Sequence, residues 1–235
     1  MALPEVVSRE RWLAGRLRLL EQEKELTRWR DELNAQRRRL PMVRVEKEYV
    51  FDGPDGKVSL ADLFEDCRQL YVHHVMFGPE WEAGCPSCTQ YTSELTAALI
   101  TRLRSRDTAF AMVCRAPLDK IEAYTAGRRW AVPWYSSYGS DFNYDFAVTL
   151  DPAAGQVTYN YRPEPGLAGG EMPAELPGAS CFLRDDGEIF HTYSAYARGL
   201  DHLDVAYGYL DLTAFGRQEA WEEPRGRAPV VHGSL

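Results

Sequence analysis

The sequence contains 235 residues, of which 45% are hydrophobic, and carries a formal net charge of -8 with a pI near 5.2. A chain of this length and composition can bury a substantial core. Its acidic balance excludes proteins that depend on neutralising a phosphate backbone, so we expect no nucleic-acid partner. We also expect no membrane partner and a cytoplasmic location, because no apolar run approaches the roughly 18 residues of a membrane span and residues 1–11 lack the apolar core of a signal peptide.

Residues 9–39 predict an amphipathic helix that ends before Pro41. The segment has no internal proline, and its apolar side chains recur mostly at three- and four-residue steps, at Leu13, Leu17, Leu20, Leu26, Trp29 and Leu33. The other face is rich in Arg, Glu and Lys, which is typical of a solvated helix. We therefore interpret residues 1–41 as a helical extension that lies on the main domain, although its apolar stripe also allows a homodimer.

Residues 42–215 predict one α/β domain. In its first half, hydrophobic patterning predicts a hairpin that turns at 52–56, a short helix at 60–64, a central strand at 70–77, a helix at 89–103, a strand at 109–114 and a helix at 118–126. Strands that alternate with helices in this way are expected to be parallel.

The second half of this domain predicts a different order of elements. It comprises a strand at 157–161, a Pro/Gly-rich loop at 163–178, a hairpin of 181–183 with 188–193, and a closing helix at 201–210. The last segment, residues 216–235, is rich in Arg, Gly, Pro and Glu with little periodicity. We expect it to be a poorly ordered tail.

Cys85-Pro86-Ser87-Cys88 is the motif that carries chemistry. It follows the predicted central strand and opens a predicted helix, where unpaired N–H groups and the helix dipole favour a thiolate. Cys85 is therefore the expected nucleophile. Cys88, one helical turn further on, is expected to be the more buried resolving thiol. Pro86 suits the first helical turn because it lacks an N–H group, and Ser87 is expected to support the site by hydrogen bonding.

The other cysteines do not extend this motif. A four-thiolate zinc site would need a second close pair, and the sequence has none. We assign Cys67, Cys114 and Cys181 to ordinary apolar positions.

Several segments of the sequence resemble the DUF899 family of bacterial thioredoxin-like proteins, often described as predicted dithiol-disulfide oxidoreductases or isomerases. They are residues 46–51 (EKEYVF), 74–81 (HVMFGPEW), 84–88 (GCPSC), 139–146 (GSDFNYDF), 190–194 (FHTYS) and 197–201 (ARGLD). The resemblance implies a thioredoxin-like fold with a mixed central sheet flanked by helices. It also implies dithiol chemistry at Cys85 and Cys88, with Trp81 near the site and no required cofactor. The expected partners are an oxidised thiol substrate or protein disulfide, and a reductase or low-molecular-weight thiol.

The sequence departs from the wider thioredoxin pattern in two places. Gly84 stands where thioredoxins usually have tryptophan, and Pro177 lies about two residues earlier than the cis-proline that normally precedes the fourth strand. Residues 56–63 look like the start of peroxiredoxins. However, Glu82 occupies the hydroxyl position of the peroxiredoxin pattern, and the spacing from Pro79 to Cys85 is one residue short. Peroxidase activity is therefore a lesser alternative.

The histidines leave a metal site as the main alternative. His73 and His74 are adjacent on a predicted strand, so they point to opposite faces and at most one serves the site. His74 could stabilise a thiolate, pack as an ordinary core histidine, or join Cys85 and Cys88 in binding copper or zinc. Some thioredoxin-fold copper chaperones use a further histidine shortly before the fourth strand; residues 176–181 contain none, and His191 could supply it only if the fold curled it back. In the segment that contains Asp141, Asn143 and Tyr144, aromatic packing is favoured over a pocket for a flat ligand.

Overall fold

The computed structural model describes residues 3–155, 157–164 and 173–224, and these fall into two compact units. One unit contains residues 3–41 with 208–224, and the main unit contains residues 42–207. The final eleven residues of the predicted tail, 225–235, lie outside the described residues, as does half of the predicted Pro/Gly-rich loop, at 165–172.

The predicted N-terminal helix is confirmed as α1, Arg9–Arg37. It begins where the Ser8 hydroxyl accepts a hydrogen bond from the Arg11 N–H at 3.3 Å, and it ends four residues before Pro41. The predicted amphipathic character is wrong: none of its residues is buried, and its apolar side chains are too unevenly spaced to form one continuous stripe.

The described strands number twelve in chain order. They are β1 Val43–Arg44, β2 Val50–Gly53, β3 Gly56–Ser59, β4 Gln69–His74, β5 Thr108–Cys114, β6 Trp134–Ser136, β7 Thr149–Leu150, β8 Thr158–Tyr159, β9 Arg162–Pro163, β10 Ala174–Glu175, β11 Gly178–Asp185 and β12 Glu188–Tyr196. Eight of them form one sheet in the order β1-β12-β11-β4-β5-β6-β2-β3, and two short pairs, β10-β7 and β8-β9, lie outside it.

The centre of this sheet has the thioredoxin pattern. β4 runs parallel to β5 on one side and antiparallel to β11 on the other, and β12 is antiparallel to β11. The remaining α-helices of the described residues are α2 Pro86–Glu94, α3 Ala97–Arg104, α4 Leu118–Thr125, α5 Phe142–Asp145 and α6 Val205–Leu210. A parallel β4-α2/α3-β5 unit followed by the β11-β12 hairpin defines a thioredoxin-like fold. The predicted fold class is thereby confirmed.

Several predicted elements differ from the observed ones in type or extent. The short helix predicted at 60–64 is a 3-10 helix, Asp62–Phe64, and the strand predicted at 157–161 is the two-residue β8. The single helix predicted at 89–103 is two helices, because Leu95 is extended and the Thr96 hydroxyl caps α3 by accepting from the Leu99 N–H at 3.2 Å. The closing helix at 201–210 is a 3-10 helix, Ala197–Leu203, followed by α6. The central strand stops at His74, three residues early, because the chain turns away from the sheet toward Gly78 and Pro79.

Side chains of the sheet alternate between two core layers. Leu70 and Val72 of β4 belong to the first layer, which also contains Phe51, Phe64, Phe142, Phe146 and Phe182. Tyr71 of the same strand packs against the second layer, which contains Phe77, Cys88, Phe110, Met112, Cys114 and Trp134. The helix that starts with the dithiol therefore lies on the second-layer face of the sheet. Among the helices of the described residues, none combines the length and apolar content that a bilayer span requires.

Phe142→Ala should lower the free energy of unfolding by about 3–5 kcal/mol, because Phe142 is fully buried and its removal leaves a cavity in the first layer. Its ring contacts Phe51 and Phe146 at centroid distances of 4.9 and 4.7 Å. Denaturant titration measures the change. The matched control is Phe215→Ala, at a side chain that is 47% exposed. A loss of the same size in the control would contradict this account of the core.

Candidate active site

Cys85 is held at the start of α2 by backbone hydrogen bonds on both sides. Its N–H donates to the Met76 carbonyl oxygen at 2.9 Å, and its own carbonyl oxygen accepts from the Thr89 N–H at 3.0 Å. The first bond closes the loop that leaves β4, and the second is the first bond of the helix. Pro86 occupies the first helical position, as predicted from its missing N–H group.

The two cysteines differ in environment and in proton affinity. Both are free thiols; Cys85 is half-buried and Cys88 is buried. The pKa of Cys85 is lowered to about 5, chiefly because the Cys88 thiol donates a hydrogen bond to its sulfur, with burial acting in the opposite direction. The pKa of Cys88 is raised well above its ordinary value, first by that hydrogen bond and then by burial. The pair therefore holds a thiolate on Cys85 and a proton on Cys88.

Ser87 supports the thiolate directly. Its backbone N–H and its hydroxyl both hydrogen-bond to the Cys85 sulfur and lower the Cys85 pKa, as does the N–H of Cys88. These groups are the unpaired donors of the first helical turn, which is why an anion is stable there.

Trp81 fixes the loop that leads to Cys85. A Cβ atom on Gly78 would lie 3.2 Å from the Trp81 indole, so the absence of a side chain at Gly78 lets the ring pack against the backbone. Lys120 of α4 donates to the carbonyl oxygens of Pro79 and Trp81 at 2.6 and 3.3 Å. The loop is thus fixed both by its own Trp81 side chain and by Lys120 of the neighbouring helix α4.

Tyr124 of α4 fills the space beside Gly84. A Cβ atom on Gly84 would lie 3.2–3.3 Å from the Tyr124 ring, so a tryptophan at this position would displace Tyr124. The Tyr124 hydroxyl forms a short hydrogen bond with the Thr89 hydroxyl, which also donates to the Cys85 carbonyl oxygen at 2.8 Å. The Tyr124 ring also packs against Phe77 and Trp130.

The residues of α4 and the segment after it were missed by the sequence reasoning. Lys120, Tyr124 and Arg128 recur at four-residue steps through the predicted helix 118–126 and just beyond it. That spacing places the three side chains on one face of a helix. A polar-aromatic stripe on the helix after β5 is therefore the sequence signal that indicates them. Trp130 and Trp134, which stack at a centroid distance of 5.3 Å, lie next to Tyr124.

His74 lies on the opposite face of the sheet from the dithiol. It is fully buried in the first layer, where its ring packs at 5.5 Å from Phe142, and its Nε2 shares a 2.9 Å hydrogen bond with the Ser180 hydroxyl. The chain of hydrogen bonds continues from Ser180 to Ser194, and from Ser194 to Nε2 of His191. The structure therefore does not bring His74 or His191 to Cys85.

His73 is the histidine on the dithiol face. Its ring stacks at 4.4 Å on Tyr91 of α2. Burial lowers the pKa of His73 to about 4 and that of His74 to about 3, so both are neutral near pH 7. Neither histidine supplies a positive charge to the thiolate at that pH.

The predicted ligand set of the metal alternative does not converge. Cys85 and Cys88 lie on one face of the sheet and His74 on the other. Within residues 3–155, 157–164 and 173–224, no group of three His, Cys, Asp or Glu side chains is arranged to hold a metal ion. Strand alternation explains the separation of His74 from the cysteines. Adjacent residues of β4 point to opposite faces, and His74 points away from the face that carries Cys85 and Cys88.

The other three cysteines are not activated. Burial raises the pKa of Cys114 to about 12 and that of Cys181 to about 11, and it also raises the pKa of Cys67. Cys85 is therefore the one thiol of the five whose pKa is lowered.

The aromatic segment around α5 packs and forms hydrogen bonds. Asp145 accepts hydrogen bonds from Lys47 at 2.7 Å and from the Tyr49 hydroxyl at 2.8 Å, and Lys47 also pairs with Asp141. The Asn143 amide oxygen accepts from the Ser137 hydroxyl at 3.0 Å. Arg115 lies over the Tyr144 ring at 4.6 Å.

These features define a thioredoxin-fold protein with a Cys-x-x-Cys dithiol at the first helix of the core. The family model described as "bacterial protein of unknown function (DUF899)" matches residues 1–230, and the chain belongs to this family. No curated protein matches the chain.

Distant likenesses link the chain to solved structures. Xanthomonas campestris peroxiredoxin Q is 12% identical, with 73% of this chain and 99% of that chain covered and a TM-score of 0.45. Mycobacterium tuberculosis peroxidoxin BcpB is 14% identical, with 70% and 93% covered and a TM-score of 0.45. BsSco, of the Sco family of cytochrome c oxidase assembly proteins, is 15% identical, with 74% and 98% covered and a TM-score of 0.37. The fold and site described above rest on the geometry of this chain.

The alkylation rate of Cys85 should rise with pH through a midpoint near pH 5 and level off by about pH 7, because a thiol with a pKa of about 5 is half ionised at pH 5 and almost fully ionised at pH 7. Cys88→Ala removes the main donor to the Cys85 sulfur, which should raise the Cys85 pKa toward that of an ordinary thiol, roughly 8.5. The alkylation rate of Cys85 in this variant should therefore keep rising above pH 7. Iodoacetamide labelling followed by peptide mass spectrometry measures both profiles. Identical profiles in the two proteins would show that Cys88 does not stabilise the thiolate.

His74→Gln should leave the midpoint of that pH profile unchanged, because His74 lies on the other face of the sheet. The same variant should lose about 1–3 kcal/mol of unfolding free energy, since a buried hydrogen bond to Ser180 is disturbed. Ser87→Ala is the matched comparison and should raise the midpoint by removing a donor to the Cys85 sulfur. A shift in His74→Gln as large as that in Ser87→Ala would place His74 at the site.

Proposed function

We propose that the protein is a thiol-disulfide oxidoreductase in which Cys85 attacks and Cys88 resolves. The observation that carries the proposal is the unequal pair at the start of α2, with the pKa of Cys85 lowered to about 5 and that of the buried Cys88 raised. A partly exposed thiolate beside a protonated, buried thiol is the arrangement that two-step disulfide exchange requires.

In the first step, the Cys85 thiolate attacks one sulfur of a substrate disulfide. A new bond joins Cys85 to that sulfur, the substrate S–S bond breaks, and the other substrate sulfur leaves as a thiolate. In the second step, Cys88 loses its proton and attacks Cys85, which forms the Cys85–Cys88 disulfide and releases the second substrate thiolate. Two electrons pass from the protein to the substrate, and the Cys88 proton goes to a released thiolate.

The oxidised protein must be reduced before it can react again. A partner reductase or a low-molecular-weight thiol would supply the two electrons by the reverse exchange. Because Cys85 is half-buried and Cys88 is buried, the reductant would attack the Cys85 sulfur, which is the accessible end of the disulfide.

The two alternatives have less support in the chain. A copper or zinc site retains Cys85 and Cys88 but lacks a third protein ligand among the described residues. A peroxidase would use the same Cys85 thiolate, but Glu82 stands where the peroxiredoxin pattern has a hydroxyl side chain. No specific contact of the described residues favours either reading over disulfide exchange.

Titration of the metal-stripped protein in glutathione redox buffers tests the proposal. Peptide mass spectrometry should show Cys85 and Cys88 protected from alkylation together, in one two-electron transition. Cys85→Ser should abolish disulfide reduction, and Cys88→Ser should accumulate a mixed disulfide on Cys85. Cys181→Ser is the matched control and should behave as the unaltered protein, because burial raises the pKa of Cys181.

Three outcomes would overturn the proposal. Full disulfide-reducing activity in Cys85→Ser would remove its nucleophile. Thiols that stay reduced throughout the titration, together with stoichiometric copper or zinc in the protein before stripping, would replace disulfide exchange with metal binding. Consumption of hydrogen peroxide at a rate far above that of disulfide exchange would favour the peroxidase reading.

A further inference from the structure

An open cavity of about 440 Å³ lies between the loop that leads to Cys85 and α4. It is lined by Glu82, Lys120, Ala123, Tyr124, Ala126 and Arg128. Its size is within the range of small-molecule sites, roughly 300–1,000 Å³.

Tyr124 connects this cavity to the nucleophile. The Tyr124 ring forms part of the cavity lining and lies against Gly84, the residue that precedes Cys85. Its hydroxyl is hydrogen-bonded to Thr89, whose hydroxyl in turn donates to the Cys85 carbonyl oxygen. A molecule in the cavity would therefore contact Tyr124, which itself touches the backbone next to the reacting sulfur.

Arg128 gives the cavity an available positive charge. Its Nε donates to the Tyr124 carbonyl oxygen at 2.8 Å, and its guanidinium lies over the rings of Tyr124 and Trp130 at 4.5 and 5.1 Å. Neither of its two terminal nitrogens donates a hydrogen bond to any residue that the structure describes. The stacked, anchored guanidinium is thus a planar pair of N–H donors held ready for a carboxylate.

The other charges of the cavity restrict what this donor pair would bind. Lys120 is already used by the carbonyl oxygens of Pro79 and Trp81. Glu82 is exposed at the lining and would repel a second negative charge. The two cations Lys120 and Arg128 and the one carboxylate Glu82 leave the lining with a formal charge of +1, which suits a singly charged group better than a doubly charged phosphate.

We propose that this cavity binds a carboxylate of a low-molecular-weight disulfide, with Arg128 as the anion-binding residue, while Cys85 attacks the disulfide. The inference rests on the proposed function and assigns the substrate class. Cys85 forms a bond to one substrate sulfur, and the second substrate sulfur leaves as a thiolate. Cys88 then closes the protein disulfide, so each turnover releases two carboxylate-bearing thiols and transfers two electrons from the protein.

Two aromatic disulfide probes of similar shape test the inference in a single turnover. One is 5,5'-dithiobis(2-nitrobenzoate), which carries a carboxylate on each ring, and the other is the neutral 4,4'-dipyridyl disulfide. Both release a coloured thiol as they react with the reduced protein, so stopped-flow absorbance gives each rate constant. Arg128→Met keeps a side chain that can pack on the rings but removes the charge.

Arg128→Met should slow the reaction with the carboxylate probe about tenfold, the loss expected for a charge-assisted hydrogen bond, and leave the neutral probe nearly unchanged. Arg128→Lys keeps the charge without the planar donor pair and should give an intermediate rate. Arg106→Met is the matched control, because Arg106 is exposed and precedes β5, at the end of the parallel strands opposite to the end that leads to Cys85. It should alter neither rate.

Each remaining outcome has a distinct meaning. If Arg128→Met slows both probes equally, or if Arg106→Met slows the carboxylate probe as much, the anion-binding role of Arg128 is wrong. The unchanged rate with the neutral probe reports that the variant is folded. The proposed function itself fails, regardless of Arg128, if the unaltered protein reacts with neither probe. It also fails if Cys85→Ser reacts with the probes as fast as the unaltered protein does.

Discussion

Strand β4 is the constraint on which the rest of the main unit depends. It is hydrogen-bonded on both edges, to β5 and to β11, so its position and register are fixed by two neighbours at once. The chain leaves its end and is tied back by the bond from the Cys85 N–H to Met76. The Cys85 thiolate therefore lies at the end of a loop whose two ends are fixed, so the sheet rather than the loop sets the position of the thiolate.

The sequence supported good predictions where local patterns decide structure. The apolar run of β4, the β11-β12 hairpin around Asp186-Gly187 and the position of Cys85 at a helix start all follow from short-range signals. The break between α2 and α3 depends on a single cap at Thr96, which periodicity alone does not detect. The cavity beside Cys85 combines the loop before α2 with α4, and such long-range placement has no signature in either segment alone.

The two faces of the sheet divide structure from chemistry. Three of the segments that carry the family resemblance, 46–51, 139–146 and 190–194, meet on the first-layer face through the Lys47, Tyr49 and Asp145 contacts and the packing of Phe146 against His191. The residues of these three segments that carry the resemblance pack in the first layer and anchor the sheet. The segments at 74–81 and 84–88 cross to the other face and carry the reactive sulfur.

The stack of Trp130 and Trp134, with an interplanar angle of 12°, gives this protein an intrinsic optical reporter. Both indoles lie within 6.1 Å of the Tyr124 ring, and Tyr124 touches the backbone next to Cys85. Indole emission responds to nearby charge and to contact with sulfur. Conversion of a thiolate into a neutral disulfide at this place would therefore change the emission of these tryptophans, so the redox state of the dithiol could be followed in the unlabelled protein.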